Sequence, residues 1–332
     1  MKRTLVILFL CIVHYGSFGQ NKYMDSELDP NRLNMNFRVY DPNTALFMGQ
    51  LSDLVYEDSL LIDNYMQILR KRYPDWKISY KFLNNKKSDA QALLFCTKNF
   101  MIIAFRGTEP NIVADWITDA SFWNYENNPS FGNALSGMPA GHGGFRRSLI
   151  NLIQEEDLFS EIDLLSQKMH PELKRSQFPI YTTGHSLGAA LSQLFMECLR
   201  FEGYNFKGAY HFAPPLAVSC SLREQMKFNF GSIVYDIVNY KDYVPRAGRN
   251  GVAHFGQFLR ICDDGEIHFE KEAYVKFSIA EYTKALKYHK LTNHLAAIRR
   301  DDNKLQEIKS RSSDFSCMGD EIIEKDPCKI EN

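Results

Sequence analysis

Apolar side chains cluster in short unbroken runs along the middle of the chain: "QALLFCT" (91–97), "FMIIAF" (100–105), "FPIYTT" (178–183), "GAYHFA" (208–213) and "SIVYDIVNY" (232–240). Runs of this length, rich in β-branched and aromatic residues and without polar alternation, predict strands buried on both faces. Between them, 148–169 and 187–200 carry apolar residues at helical spacing, and "FGQFLRI" (255–261) and "EIHFE" (266–270) add two late strands. Strands alternating with helices predict an α/β architecture: a mostly parallel central sheet covered by helices on both faces. A further helical pattern, "ALFMGQLSDLVY" (45–56), is expected to pack across that sheet.

Three segments fall outside this rhythm. Lys2 and Arg3 precede the apolar run 5–13, followed by the small-x-small pattern Ser17-Phe18-Gly19, which predicts a signal peptide over 1–19. The run is well short of the ~20 residues that span a bilayer, so the chain is expected to be exported after cleavage behind Gly19. The stretch 109–145 is rich in Gly, Pro and Asn after Trp123, yet gathers Trp116, Ile117, Phe122 and Trp123, and is expected to form a mobile cover. From 301 to 332 the chain is charged and reads as a trailing helix and tail, leaving 20–300 as the folded domain.

Charge and cysteines narrow the partners. With 39 basic against 40 acidic residues, nothing in the balance attracts nucleic acid or an anionic membrane. Six cysteines follow the leader, an even number that permits disulfides in an oxidising compartment. Cys317 and Cys328 are expected to form a local bridge, and Cys96 and Cys198, in apolar runs, to be buried thiols. No Cys/His spacing suggests a metal, and no cofactor is expected.

The stretch "YTTGHSLGAALSQL" (181–194) sets Ser186 between Gly184 and Gly188, at the junction of a predicted strand and a helix. A sharp strand-to-helix turn explains both glycines and would expose Oγ beside a helix N-terminus, where partial positive charge favours an oxyanion. A serine hydroxyl needs a base to become a nucleophile, and on such a sheet the acid and then the histidine follow the serine along the chain. Asp242 stands at the C-terminal end of a predicted strand, before Val244-Pro245; its rival Asp236 lies in the strand interior. Of the nine histidines, His254, His268, His289 and His294 follow Asp242. The first two flank strands, His294 falls inside a predicted helix beginning near Thr292, and the loop position favours His289. His185 is set aside because its side chain should point away from its neighbour's Oγ.

Taken in order, these motifs resemble the fungal-type or class 3 lipases of the α/β-hydrolase fold, over roughly 41–298. "IIAFRGT" (102–108) is similar to that family's oxyanion strand, "ADWITD" (114–119) to its lid element, and "GHGGFRRSL" (141–149) to its His-x-Gly-Phe segment; "TGHSLGAAL", "VNYKDYVPR" and "HFGQFLR" follow. The resemblance implies Ser186 as nucleophile, Asp242 as orienter and His289 as base. It also implies an oxyanion hole from the backbone N–H groups of Thr108 and Leu187, with the Thr108 hydroxyl helping. Five residues after the family's histidine a tyrosine is common; here His294 takes that place. "FAPPLAV" (212–218) replaces the usual Gly-Ala-Pro-Arg. The implied activity is secreted ester hydrolysis through an acyl-enzyme, on acylglycerols as a lipase, with the lid Trp116, Ile117, Phe122 and Trp123 meeting a lipid–water interface. A phospholipase or soluble carboxylesterase shares this chemistry, and a catalytically silent hydrolase-fold binding protein is the rival of another class.

Overall fold

A computed structural model of the chain describes residues 33–86, 88, 90–107, 125–126, 137–246, 251–263, 265–270 and 285–304. The expected leader, the expected lid residues Trp116, Ile117, Phe122 and Trp123, and the tail cysteines Cys317 and Cys328 lie outside them. In chain order the elements are α1 (Pro42–Leu54), α2 (Ser59–Arg72), β1 (Ser79–Asn85), β2 (Ala90–Cys96), β3 (Met101–Phe105), β4 (Tyr125–Glu126), β5 (Gly141–His142), α3 (Gly143–Glu155), α4 (Leu158–Met169), β6 (Pro179–His185), α5 (Leu187–Phe201), β7 (Asn205–Phe212), β8 (Val218–Ser219), α6 (Cys220–Phe230), β9 (Val234–Asn239), β10 (Val252–Ala253), β11 (Gln257–Ile261), β12 (Ile267–Glu270) and α7 (Leu291–Lys304).

Eight strands form the main sheet in the order β1-β2-β3-β6-β7-β9-β11-β12. Its centre, β3 through β11, is parallel, while β1, β2 and β12 join antiparallel at the edges. A small second sheet, β10-β8-β5-β4, lies apart. This is the mostly parallel, helix-covered sheet of the α/β-hydrolase fold.

The unbroken apolar runs follow from two separate cores. Leu94, Cys96, Ile103 and Phe105 join one cluster with Phe145, Leu149, Leu191 and Phe195 from α3 and α5. Their neighbours Leu93, Phe95, Ile102 and Ala104 join the other with Phe47, Met48, Leu51 and Leu295 from α1 and α7. Successive strand residues point to opposite faces, so a strand covered on both must be apolar throughout. The helix expected across the sheet is α1, capped by the Asp41 carboxylate on the Thr44 amide at 2.7 Å.

Several expectations shift. The single helix over 148–169 is two, because Asp157 adopts φ 52° between α3 and α4. The late helix begins at Leu291, so Thr292 lies inside it rather than capping it. Cys96 and Cys198 are buried free thiols as expected, and burial pushes the Cys96 thiol up to about 12. Cys220 and Cys262 are disulfide-bonded.

Candidate active site

At the end of β6 the chain turns within one residue into α5. Ser186 takes φ 56° and ψ −126°, a conformation L-residues rarely hold, while its amide donates to the Phe212 carbonyl at 2.9 Å. The flanking glycines make the turn possible. A Cβ on Gly184 would overlap the Gly188 carbonyl group, and one on Gly188 would overlap the Phe105 carbonyl oxygen. Ser186 makes no capping bond to its helix, and its buried Oγ has no hydrogen-bond partner. An ordinary N-cap serine would spend that oxygen on a helix amide.

Asp242 follows β9. Its amide closes a turn onto the Asn239 carbonyl at 2.9 Å, and its Oδ1 accepts from the Val244 amide at 3.0 Å. That turn leaves Oδ2 to accept from His289 Nδ1 at 2.8 Å, with both residues buried. His289 sits between a 3-10 turn (Leu286–Tyr288) and α7, as its loop position suggests. With Nδ1–H donating to the carboxylate, Nε2 is the ring nitrogen left over, and it too is buried without a partner. The Ser186 hydroxyl and the His289 ring therefore stand unjoined, the looser geometry common before substrate binds.

What binds the histidine to the serine's turn is His185. Its Nε2 lies 2.8 Å from the His289 carbonyl oxygen, its Nδ1 lies 3.1 Å from the Tyr56 hydroxyl, and the two imidazoles are 4.7 Å apart between centroids. Burial holds the His185 pKa well below its ordinary value. His294, at the position the resemblance gives to tyrosine, lies inside α7; burial lowers it to about 4, its Nδ1 donates to the Lys290 carbonyl at 3.2 Å, and its Nε2 has no partner. It does not bond to Asp242.

Asp236 belongs to a different network. Its Oδ1 accepts from His211 Nδ1 at 2.9 Å; His211 Nε2 reaches Ser192 Oγ at 2.9 Å, which donates to Thr182 Oγ1 at 2.7 Å. All four residues are fully buried. His254 approaches the same carboxylate at 3.8 Å and bonds the Pro245 carbonyl at 2.6 Å. This arrangement was not anticipated from sequence, where His211 carried no signal beyond its place in an apolar strand.

Of the two residues expected to form an oxyanion hole, Leu187 opens α5, and the amides of a helix's first turn have no partner within the helix. Thr108 lies outside the described residues. Gly107, just before it, is packed on the turn: a Cβ there would overlap the Tyr56 hydroxyl and the His185 carbonyl and stand 3.3 Å from Ser186 Cβ. His142 caps α3 by accepting from the Phe145 amide at 3.5 Å, and burial lowers it to about 3.

The sheet order, the strained serine between strand and helix, and the acid–histidine pair from later loops define the class: a hydrolase-type α/β fold with a serine at its turn. Residues 102–250 match the family described as lipase (class 3). It is 25% identical over 236 residues to the triacylglycerol lipase OBL1 of Arabidopsis thaliana, covering 59% of this chain and 44% of that protein. The chain thus spans under half the length of that curated relative. Among solved structures, the LIP2 lipase of Yarrowia lipolytica matches with a TM-score of 0.55 at 16% identity, over 74% of this chain and 92% of that one. A triacylglycerol lipase whose catalytic centre is a serine protease triad matches with a TM-score of 0.51 at 24% identity, over 67% and 80%. These two likenesses are of fold.

Proposed function

We propose that the protein is a secreted serine hydrolase that cleaves carboxylic esters, acylglycerols foremost, through an acyl-enzyme on Ser186. The observation that carries the reading is the coincidence at one place of the strained Ser186 turn and the buried Asp242–His289 pair at 2.8 Å. In this mechanism His289 Nε2 removes the Ser186 proton as Oγ attacks the ester carbonyl. The Asp242 carboxylate stabilises the imidazolium that forms. The amides of Leu187 and Thr108 receive the oxyanion, and the positive end of α5 favours it. His289 then protonates the leaving alcohol, and water repeats the sequence on the acyl-enzyme.

Acylglycerol is the substrate favoured by the family and by the name of the curated relative. Among the described residues no helix is long and apolar enough to cross a membrane. The leader and the lid enter the reading from the sequence: export by residues 1–19, and closure over the site by Trp116, Ile117, Phe122 and Trp123.

The test compares wild type with Ser186→Ala on an emulsified triacylglycerol, a phospholipid vesicle and a soluble short-chain ester. Hydrolysis of all three is expected to fall at least ~10⁴-fold in the variant. Retained activity overturns the assignment of Ser186. A wild type active on phospholipid or soluble ester alone overturns the acylglycerol preference, and failure of a fluorophosphonate to label Ser186 points to a silent binding protein.

A further inference from the structure

His185 is a buried titratable group that the proposed reaction does not use, yet both its ring nitrogens are engaged. A backbone carbonyl can only accept, so the 2.8 Å contact to the His289 carbonyl oxygen places a hydrogen on Nε2. The ring is neutral, because burial and the neighbouring His289 and His294 hold its pKa well below the ordinary value. A neutral ring has one N–H, so Nδ1 is bare and the Tyr56 hydroxyl, 3.1 Å away, donates to it. Hydrogen-bond counting thus gives one tautomer and a chain of donors running from Tyr56 through His185 to His289.

We propose that His185 is a positioning residue: it ties the main chain of the base to the residue that precedes the nucleophile, and Tyr56 holds it in the tautomer that can do so. The proposal rests on the ester-hydrolase reading. Its physical content is that His289 carries both the carbonyl that His185 grips and the imidazole that must reach Ser186, so a shift of the first displaces the second. Misplacement of a reacting group by about 1 Å can cost ~10²-fold in rate. The clamp also suits the charge that forms. The rings of His185 and His289 are 4.7 Å apart, and a neutral, Nε2–H ring there adds no positive charge beside the transient imidazolium.

Tyr56 extends the same device to a third segment. Its hydroxyl occupies the space a Cβ on Gly107 would need, immediately before Thr108, and the Arg106 guanidinium lies 5.4 Å from the centre of its ring. One tyrosine after α1 therefore touches the end of the oxyanion strand and, through His185, orients the base. Its partners lie 129 and, by way of His185, a further 104 residues along the chain.

The test uses full-length wild type, H185F, H185Q and Y56F. Long-range ¹⁵N correlation of the histidine rings is expected to show His185 of the wild type as the neutral Nε2–H tautomer. On a soluble short-chain ester, H185F is expected to lose ~10²-fold in kcat with little change in KM. H185Q, whose amide N–H can reach the same carbonyl, is expected to recover most of that loss, and Y56F to lose less than H185F. A folded H185F with wild-type kcat overturns the proposal, as does an H185Q no better than H185F, or an Nδ1–H tautomer at His185. If H185F does not fold, Y56F decides, since it keeps both rings: unchanged kcat together with an unchanged His185 tautomer overturns the role of Tyr56 and with it the clamp. A wild type that cleaves no ester refutes the hydrolase reading instead, and the tautomer then still judges the clamp by itself.

Discussion

Replacing Asp242 by Asn removes one charge and almost no volume, so it isolates what the carboxylate does. Oδ1 holds the Val244 amide at 3.0 Å and Oδ2 holds His289 Nδ1–H at 2.8 Å. An asparagine that keeps its oxygen on Val244 must turn its NH₂ toward Nδ1. Two donors cannot face each other in a buried site, so the imidazole gives up the Nδ1 proton and carries it on Nε2, where it can no longer accept from Ser186. The opposite amide flip keeps the histidine bond but leaves the Val244 amide facing NH₂, an unmade buried bond worth about 1–3 kcal/mol. The first arrangement loses catalysis rather than fold, and its cost should approach ~10⁴ in kcat, about 5.5 kcal/mol of barrier. Initial rates on a soluble ester, normalised to folded protein, measure it. Asp236→Asn is the control: Asp236 faces His211 at 2.9 Å inside the sheet, and replacing a carboxylate acceptor in a buried hydrogen bond costs about 1.5–3 kcal/mol of stability. Its rate per folded molecule should stay near wild type. A D242N enzyme within tenfold of wild type, or a larger catalytic loss in D236N, refutes the assignment of the two acids.

Gly188→Ala drives a methyl into the Phe105 carbonyl oxygen, backbone against backbone, and is expected to cost about 3 kcal/mol or more in urea melts, whereas a stable G188A shows the packing to be looser than described. Acid should weaken the fold through His294 and His142, whose folded pKa values are lowered by burial from 6.5 to about 4 and about 3. The unfolded chain then binds more protons, so stability is full above pH 6.5 and falls as pH drops through the interval from 6.5 to 4, by roughly 3 kcal/mol for His294. Urea midpoints for wild type and H294F at pH 7.5 and 5 check it; an equal slope in both removes His294 from the account. Cys96 and Cys198, buried and with raised thiol pKa values, should resist a thiol reagent in the native state and react on unfolding, as peptide mapping can show.

The central strands were legible because burial on both faces leaves no polar positions to blur them. Edge strand β1 was not, since "SYKFLNN" alternates between buried and exposed positions and its Lys and Asn residues hide the period. The break at Asp157 was invisible for a different reason: apolar spacing resumes on its far side, and only the Glu155-Glu156-Asp157 cluster marks the place. Ser186, Asp242 and His289 are expected from order and local turns, and the structure joins the last two at 2.8 Å. For the His185 ring the sequence suggests only that it does not face Ser186, and its bond to the His289 backbone has no sequence signature, because a carbonyl partner is the same in every residue. Tyr56 and the His211–Asp236 network escape for another reason: their side-chain partners are brought together by the packing of segments distant along the chain.

The bond between His289 and Asp242 closes a loop of 47 residues, and those of His185 to His289 and to Tyr56 close loops of 104 and 129. Such long-range closures are slow relative to local helix formation, because chain entropy must be lost before the contact repays it. On dilution from denaturant, helical signal should therefore return before ester cleavage does. Catalytic competence would then serve as a clock for the last docking step of the chain upon itself, when its early and late segments meet at the Ser186 turn.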